Sequence, residues 1–428
     1  MNTQLFSRHP KAPAWRAVLL AILSLAVAFG PLMIRAGYAR SGSHAASGPG
    51  QPAAATITIG VGAALSGPSA SIGWRETNSV RLLVDQVNAA GGLKFGGKTY
   101  TLKLVTADSQ CNPAKAVAAA NSLLAAGVVA VVGHTCSVES LAAQPIYNAA
   151  GVPMISPSST VPDVTEQGFD TTFRVISRDD RPPALLARQM RRLDLRRAAI
   201  VDLQGVDPLA NDVLQAEFIN YGGEITSRRL ANSTNNFLEV LSAIRLENPQ
   251  VIFYSDPSGT RAGLLSRLAY DLGMRQIPIA WCTFDMNRGV LGAYLAEAGE
   301  AAEGDYTCFY YRNEAYMPGY ADFNADYQAA GFLNFGDKAT AFGAFAYDAA
   351  GIAVDAILRA KSIDPQVIRQ AIAATPGYQG VVGDYQGFDA IGDVIPQWAW
   401  LEVRAGNRWV VFDRQEAFLP FARRDPGP

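Results

Sequence analysis

Short apolar runs alternate with stretches in which apolar residues recur every three or four positions, a pattern that predicts strand followed by helix through most of the chain. Thr56–Leu65 (TITIGVGAAL) reads as a strand closed by the turn Ser66-Gly67-Pro68. Val80, Leu83, Val84 and Val87 fall on one face of a helix over Trp74–Asn88, stopped by Gly91-Gly92. Tyr100–Ala107 is the next strand, after which Asn112-Pro113 caps and starts a helix ended by Gly127. Val128–Gly133 and Val152–Ile155 are strands on either side of a helix with Ser137 near its N-cap and Gly151 at its stop. Thr160-Val161-Pro162-Asp163 opens one further short helix in capping-box fashion. Four strands alternating with helices predict a parallel sheet covered on both faces.

The pattern then restarts. Strands are expected at Ala198–Leu203, Glu224–Leu230, Gln250–Ser255, Ile277–Cys282 and Gly304–Phe309, with helices at Leu209–Asn220, Phe237–Glu247, Gly259–Leu272 and Val290–Ala298. The fold class is therefore α/β, with two doubly wound parallel-sheet lobes; the polar, proline-bearing segment Arg178-Asp179-Asp180-Arg181-Pro182-Pro183 reads as a junction between them. After Tyr310 helices dominate (Tyr316–Ala330, Ala339–Ala360, Pro365–Ala373), and with no strand before each they must cover an existing sheet. The closing hairpin, Trp398–Arg404 and Arg408–Phe412 around Ala405-Gly406-Asn407, needs a sheet edge of its own. More than one crossing between lobes follows, and with it a hinge.

The chain has 428 residues, 49% hydrophobic and 17% charged, enough to bury two sizeable cores. Thirty-six basic and thirty-eight acidic side chains give a formal charge of −2, without the basic stripe of a nucleic-acid binder. Arg8, Lys11 and Arg16, the apolar stretch Ala17–Ile34 and the small residues Ala36-Gly37-Tyr38-Ala39 read as a secretory signal cleaved after Ala39. The alternative is an uncleaved anchor, since about 18 apolar residues nearly reach the span of a bilayer. No second apolar segment of that kind is expected downstream. No Cys near the end of the run offers a lipid attachment site, and residues 40–55 are a flexible leader.

Export makes the four cysteines informative, because disulfides persist in oxidising compartments. Cys111 and Cys136 each sit just past a predicted strand, at the same end of what should be neighbouring strands, and Cys282 and Cys308 repeat the relation. Bridges 111–136 and 282–308 are predicted out of three possible pairings.

In open α/β sheets ligands bind beyond the carboxyl ends of the strands, which directs attention to Val128–Thr160. Two strands end there in hydroxyl-bearing segments, one led by Ser137 and the other Pro157-Ser158-Ser159-Thr160. Hydroxyls and free N–H groups at helix starts hold a small anion without a cation. A dinucleotide fingerprint is incomplete, as Gly60-x-Gly62 is followed by Leu65 where the third Gly belongs. Only three histidines exist, His9 and His44 in the signal and leader and His134 in the folded part. With no nucleophile elbow, phosphate loop or Cys/His cluster, nucleophilic triads and zinc sites lack parts, and no cofactor, metal or catalytic residue is expected.

The stretches TIGVGAALSGP (58–68), VNAAGGLKFGGKTYTLKLVTADSQCNP (87–113), VVGHTCSVES (131–140), GVPMISPSSTVPDVTEQG (151–168), FRV (173–175) and AYDAAGIAVDAI (346–357) together resemble the periplasmic branched-chain amino acid binding proteins, the Leu/Ile/Val type of ABC-importer receptor. The resemblance spans about 56 to 413 and includes the spacing of Cys111 and Cys136. It implies a type I periplasmic binding fold with three crossings, a small-molecule ligand in the cleft, an ABC permease as partner, a periplasmic location and a monomer.

It also implies that the ligand carboxylate is held by Ser137, Ser158 and Thr160, with Ser159 in the same hydroxyl cluster. Trp74 is expected as a cleft wall. The second lobe departs from the family pattern. Gly205-Val206-Asp207-Pro208 and Asp256-Pro257 replace aromatic-bearing turns, and the family's ammonium-pairing glutamate falls near Trp281-Cys282-Thr283-Phe284-Asp285. Asp207, Asp256 or Asp285 is therefore expected to meet a ligand ammonium. The expected layout is a signal over 1–39, leader 40–55, lobe 1 over 56–177, lobe 2 over 178–310, helices returning to lobe 1 over 311–381, closing strands on lobe 2 over 382–413 and a tail over 414–428. The competing readings are a sensor of the same fold acting on a membrane signalling receptor, and a carboxylate-based enzyme.

Overall fold

The computed structural model describes residues 55–283, 289–309, 311, 313–332, 338–398, 400–406 and 408–411. The expected signal, all of the leader before Ala55, the tail and Asp285 lie outside the described residues.

The first sheet is built from β1 (Ala55–Ala63), β2 (Leu93–Phe95), β3 (Lys98–Asp108), β4 (Val128–Gly133), β5 (Met154–Ser156) and β6 (Thr172–Arg174), in the order β2-β3-β1-β4-β5-β6. All neighbours run parallel except β2, which pairs antiparallel with β3. Helices α1 (Ala70–Ala89), α2 (Pro113–Ala125), α3 (Ser137–Ala150) and the one-turn α4 (Asp163–Glu166) connect them. Period-two alternation sends Ala130 and Val132 to one face and Val131 to the other, where it packs with Leu123, Tyr147 and Met154 under α2 and α3. Asn112 caps α2 by accepting from the Lys115 amide at 3.1 Å, with Pro113 at the first helical position.

Helix α5 (Arg181–Arg192) leads into the second sheet: β7 (Arg197–Leu203), β8 (Glu224–Ala231), β9 (Val251–Ser255), β10 (Ile279–Cys282) and β11 (Tyr306–Phe309), with α6 (Leu209–Asn220), α7 (Phe237–Leu246), α8 (Gly259–Asp271) and α9 (Gly289–Ala298) between strands. Ile200 and Phe253 face Leu186, Leu214 and Phe218 on one side, while Val201, Ile252 and Tyr254 join a core that continues into the first lobe. β1 is flanked by β3 on one side and β4 on the other, and β7 likewise by β8 and β9. The switch points therefore fall between β1 and β4 and between β7 and β9.

The chain passes between lobes three times: at 175–180 from β6 to α5, after β11 into α10 (Tyr320–Ala329) and α11 (Thr340–Ala360), and from 396 onward on the way to the closing hairpin. Helix α11 packs on α1 and α12 (Pro365–Ala373) against β4, so these helices cover the first lobe.

Several expectations change. β3 and β4 are not neighbours, because β1 lies between them; the Cys111–Cys136 bridge spans the end of β1, joining loops rather than adjacent strands. Cys282 and Cys308, by contrast, are in register on the adjacent parallel strands β10 and β11. The short strands β2 and β6 are too brief to show periodicity. Residues 382–395 do not close lobe 2. They form β13 to β15 (Asp384–Tyr385, Gly387–Phe388, Val394–Ile395), following β12 (Tyr378–Gln379), and Asp393 forms a bridge with Arg174 of the first lobe. Only β16 (Trp400–Ala405), antiparallel to β11, and β17 (Arg408–Val411), antiparallel to β16, join the second sheet. The expected capping box at Thr160 is absent: Pro162 is the N-cap of α4 and makes no side-chain bond. Finally, α11 is long and apolar enough to cross a membrane, with mean hydropathy 1.5, yet 83% of that window is buried in the core.

Candidate functional site

The carboxyl ends of β1, β4 and β5 converge at the first switch point. β4 is an all-buried run, VVAVVG, suited to the interior of a parallel sheet. Its last residue, Gly133, is in register with Gly62 of β1, and His134 follows. A Cβ on Gly62 would lie 2.5 Å from the His134 ring, so the glycine makes room for the imidazole. That ring is buried between the Ser109 hydroxyl (3.2 Å from Nδ1) and the Tyr147 hydroxyl (3.0 Å from Nε2), and burial pushes its pKa down to about 3. His134 is therefore a neutral prop beneath the site.

Helix α3 starts at Cys136, whose N–H donates to Glu139 at 2.8 Å, and stops at left-handed Gly151. The Ser137 hydroxyl accepts from the Thr160 amide at 3.2 Å and the Val161 amide at 3.4 Å, tying the loop after β5 to the start of α3. A hydroxyl that accepts still has its own proton to donate, and this one sits beside the N-terminal N–H groups that α3 cannot satisfy internally. Ser158 donates to the Thr135 carbonyl at 2.8 Å. Ser159, fully buried, donates to the His134 carbonyl at 3.0 Å and meets the Ser140 hydroxyl at 2.8 Å. The structure thus brings Ser137, Ser158, Ser159 and Thr160 together, but gives Ser159 an internal role. Trp74 is half-buried and its indole donates to the Leu65 carbonyl at 2.9 Å, holding the loop after β1.

Two carboxyls at this end of the lobe escaped the sequence reading. Glu76 on α1 accepts from the Thr135 hydroxyl at 2.6 Å, and burial pushes it up to about 7 against the opposing Ser158 and Thr135 hydroxyls. Asp179, in the first crossing, donates its N–H to the Thr160 carbonyl at 2.9 Å. Burial pushes its carboxyl up to about 6, while the Thr160 hydroxyl and the Arg174 charge pull it back. Its Oδ1 is buried with no partner among the described residues. Glu76 carried no signal beyond a polar residue on a helix. Asp179 lay in the segment read only as a junction.

The second lobe offers less. Asp207 is exposed on the loop after β7 and accepts from the Leu209 amide at 2.9 Å, and its charge adds to the upward push on the Asp179 carboxyl. Asp256 is not available to an ammonium. Its carboxylate, fully buried, accepts from Arg261 Nε (2.7 Å), the Ser258 amide (2.8 Å) and the Tyr254 hydroxyl (2.5 Å), so its charge is already neutralised. Among the described residues, no three His, Cys, Asp or Glu side chains converge to hold a metal.

Comparisons with known proteins bear on the family and the fold. The family model described as periplasmic binding protein matches residues 56–408. An amino acid binding protein of Pseudomonas aeruginosa is 32% identical over 206 residues, 47% of this chain and 54% of that one, so the match spans about half of that relative. Leu/Ile/Val-binding protein homolog 2 of Brucella abortus is 29% identical over 343 residues, 79% of this chain and 88% of its own length. LivJ of Streptococcus pneumoniae, a branched-chain amino acid transporter substrate-binding protein solved with isoleucine, superimposes with a TM-score of 0.61 at 25% identity, covering 83% of this chain and 99% of LivJ. The chain belongs to the periplasmic binding protein family and has its two-lobed type I fold.

Proposed function

We propose that this chain is the extracytoplasmic receptor of an ABC importer, taking an amino acid or related small carboxylate into the cleft between its lobes and delivering it to a permease. The observation that carries this reading is the Ser137–Thr160 crossover, which brings a hydroxyl and helix-start N–H groups together at a switch point. An α-amino acid carries its ammonium one carbon from its carboxylate. The Oδ1 of Asp179 beside Thr160, buried and without a partner among the described residues, offers an acceptor next to the anion cradle, and Asp207 of the second lobe adds negative charge there. Asp285 remains a further candidate for that role. Closure over the solute requires contacts from both lobes, so that the closed form binds better than the open one. Signal cleavage after Ala39 would leave the receptor in the periplasm.

A thermal-shift screen of the 40–428 protein tests this reading, comparing each L-amino acid with the matching acid that lacks the ammonium and with the matching amide. An amino acid that binds raises the melting temperature by mass action. Equal shifts with the ammonium-free acid would assign the site to simple carboxylates. No shift with any amino acid or carboxylate would discard the reading.

A further inference from the structure

The first and third crossings meet the ligand loop at one buried ion network. Arg174, at the end of β6, is fully buried and donates from Nη1 to the carbonyls of Ser159 (3.2 Å) and Val161 (2.7 Å), straddling Thr160. Its Nε and Nη2 donate to Asp393 Oδ1 at 2.8 and 2.6 Å, and Nη2 also donates to the Thr165 hydroxyl at 2.7 Å. Asp393 precedes the third crossing, and its other oxygen accepts from Arg178 of the first crossing at 3.3 Å. Arg178 is itself bound to Glu166 (2.6 Å) and Asp180 (2.9 Å), and its amide donates to Gln397 Oε1, in the third crossing, at 3.2 Å.

Buried ion pairs add little net stability compared with apolar residues of the same volume. What a guanidinium fork supplies is direction, since its donors fix the groups they bind in one plane. Here one fork holds the two carbonyls on either side of Thr160, and its anchor is shared with two of the segments that must flex when the lobes move.

We infer that Arg174 and Asp393 are positioning residues for the 158–161 ligand loop, and that through Arg178 they make the setting of this loop depend on two of the crossings between lobes. The ligand role of the loop rests on the proposed function; the coupling does not. Hydrogen–deuterium exchange on the ligand-free full chain reads the coupling directly, because the Thr160 and Val161 amides are the groups bonded to Ser137.

Arg178→Gln is the decisive variant, since the Arg178 side chain makes no hydrogen bond to the loop and lies at the hinge end of the network. It is expected to speed exchange at 158–161 about tenfold while residues 224–246 of the second lobe keep wild-type rates. Asp393→Asn should do the same to a larger extent; if it fails to fold, Arg178→Gln still decides. Loop exchange within about twofold of wild type in a folded Arg178→Gln protein would overturn the inference, as would equal acceleration at 224–246, which reports global loosening. With L-leucine as calorimetric probe, Arg178→Gln should also weaken any binding the unaltered chain shows. An unaltered chain that ignores leucine bears on the ligand class alone and leaves the exchange result to decide.

Discussion

At the ends of β4 and β5 the Ser137, Ser158 and Ser159 hydroxyls exchange hydrogen bonds with backbone amides and carbonyls, while the charged groups nearby, Arg174 among them, brace the backbone behind them. At the matching end of β9 charge meets charge, with Asp256 engaged by Arg261. The two lobes have the same switch-point topology and each carries one disulfide near its strand ends, yet the anion cradle proposed above lies in the first. Topology decides where a ligand sits, and the polarity of a few side chains decides whether that place is open to it. An aspartate beyond a strand end is therefore a weak indicator on its own, because a neighbouring arginine can neutralise it.

The contrast can be broken at several points. Opening either disulfide, by Cys111→Ser with Cys136→Ser or by Cys282→Ser with Cys308→Ser, should cost about 3 kcal/mol in urea unfolding, since the closed loops are nearly equal, with sequence separations of 25 and 26. A clear inequality would locate the difference in the folded state, in the loop-joining bridge of one lobe against the strand-joining bridge of the other.

A second comparison uses pH. Glu76 in the first lobe and Asp305 in the second are both fully buried and both pushed up to about 7 by burial. Asp305 accepts from the Ser266 hydroxyl at 2.6 Å and the Ile279 amide at 2.7 Å. The folded chain holds these protons where the unfolded chain releases them. Stability is therefore fullest below the unfolded values near 4 and declines as pH rises to about 7, by roughly 3 kcal/mol for each group. Glu76→Gln and Asp305→Asn should each flatten part of that slope in unfolding series from pH 4 to 8, with Asp348, also raised to about 7, sustaining the remainder. A slope unchanged by both substitutions would contradict the burial argument.

Asp256→Ala should lower stability by about 2 kcal/mol, because it strands the buried Tyr254 hydroxyl and the Ser258 amide, and should leave ligand affinity nearly unchanged. A large loss of affinity in calorimetry would return Asp256 to the site. The smallest effect is expected from the first lobe's own hydroxyls: Ser137→Ala and Thr160→Ala should weaken binding by about 1 kcal/mol each, with the double variant near the sum. Unchanged affinity would remove them from the cleft.

The first lobe was more legible in sequence for a physical reason. Its site residues lie within one strand–helix–strand stretch, where the apolar run ending at Gly133, the helix started near Ser137 and the Pro157–Thr160 turn are all local signals. What escaped was long-range. Nothing near Asp256 in the chain announces which of its neighbours will neutralise it, and nothing near Asp179 says that it returns to Thr160. Asp393 lies 219 residues from Arg174, and no periodicity in residues 382–395 shows that they pair with the first lobe. The order of strands is likewise invisible in the sequence, where nothing near the cysteines after β3 and β4 shows that β1 lies between those strands.

Helix α11 has one further consequence, for the journey rather than the destination. On the proposed export route, this segment meets the bilayer before it can pack against α1, and its apolar length alone would invite it to stay there. Asp348, near its middle, argues against lateral insertion, since a central aspartate disfavours membrane residence by about 2.5–3.5 kcal/mol. In the folded protein the same carboxyl accepts from the Val381 and Val382 amides at 2.7 and 2.9 Å and the Tyr385 hydroxyl at 2.9 Å. One side chain can thus serve as a passport through the translocation channel and, afterwards, as the peg on which the 381–385 segment hangs.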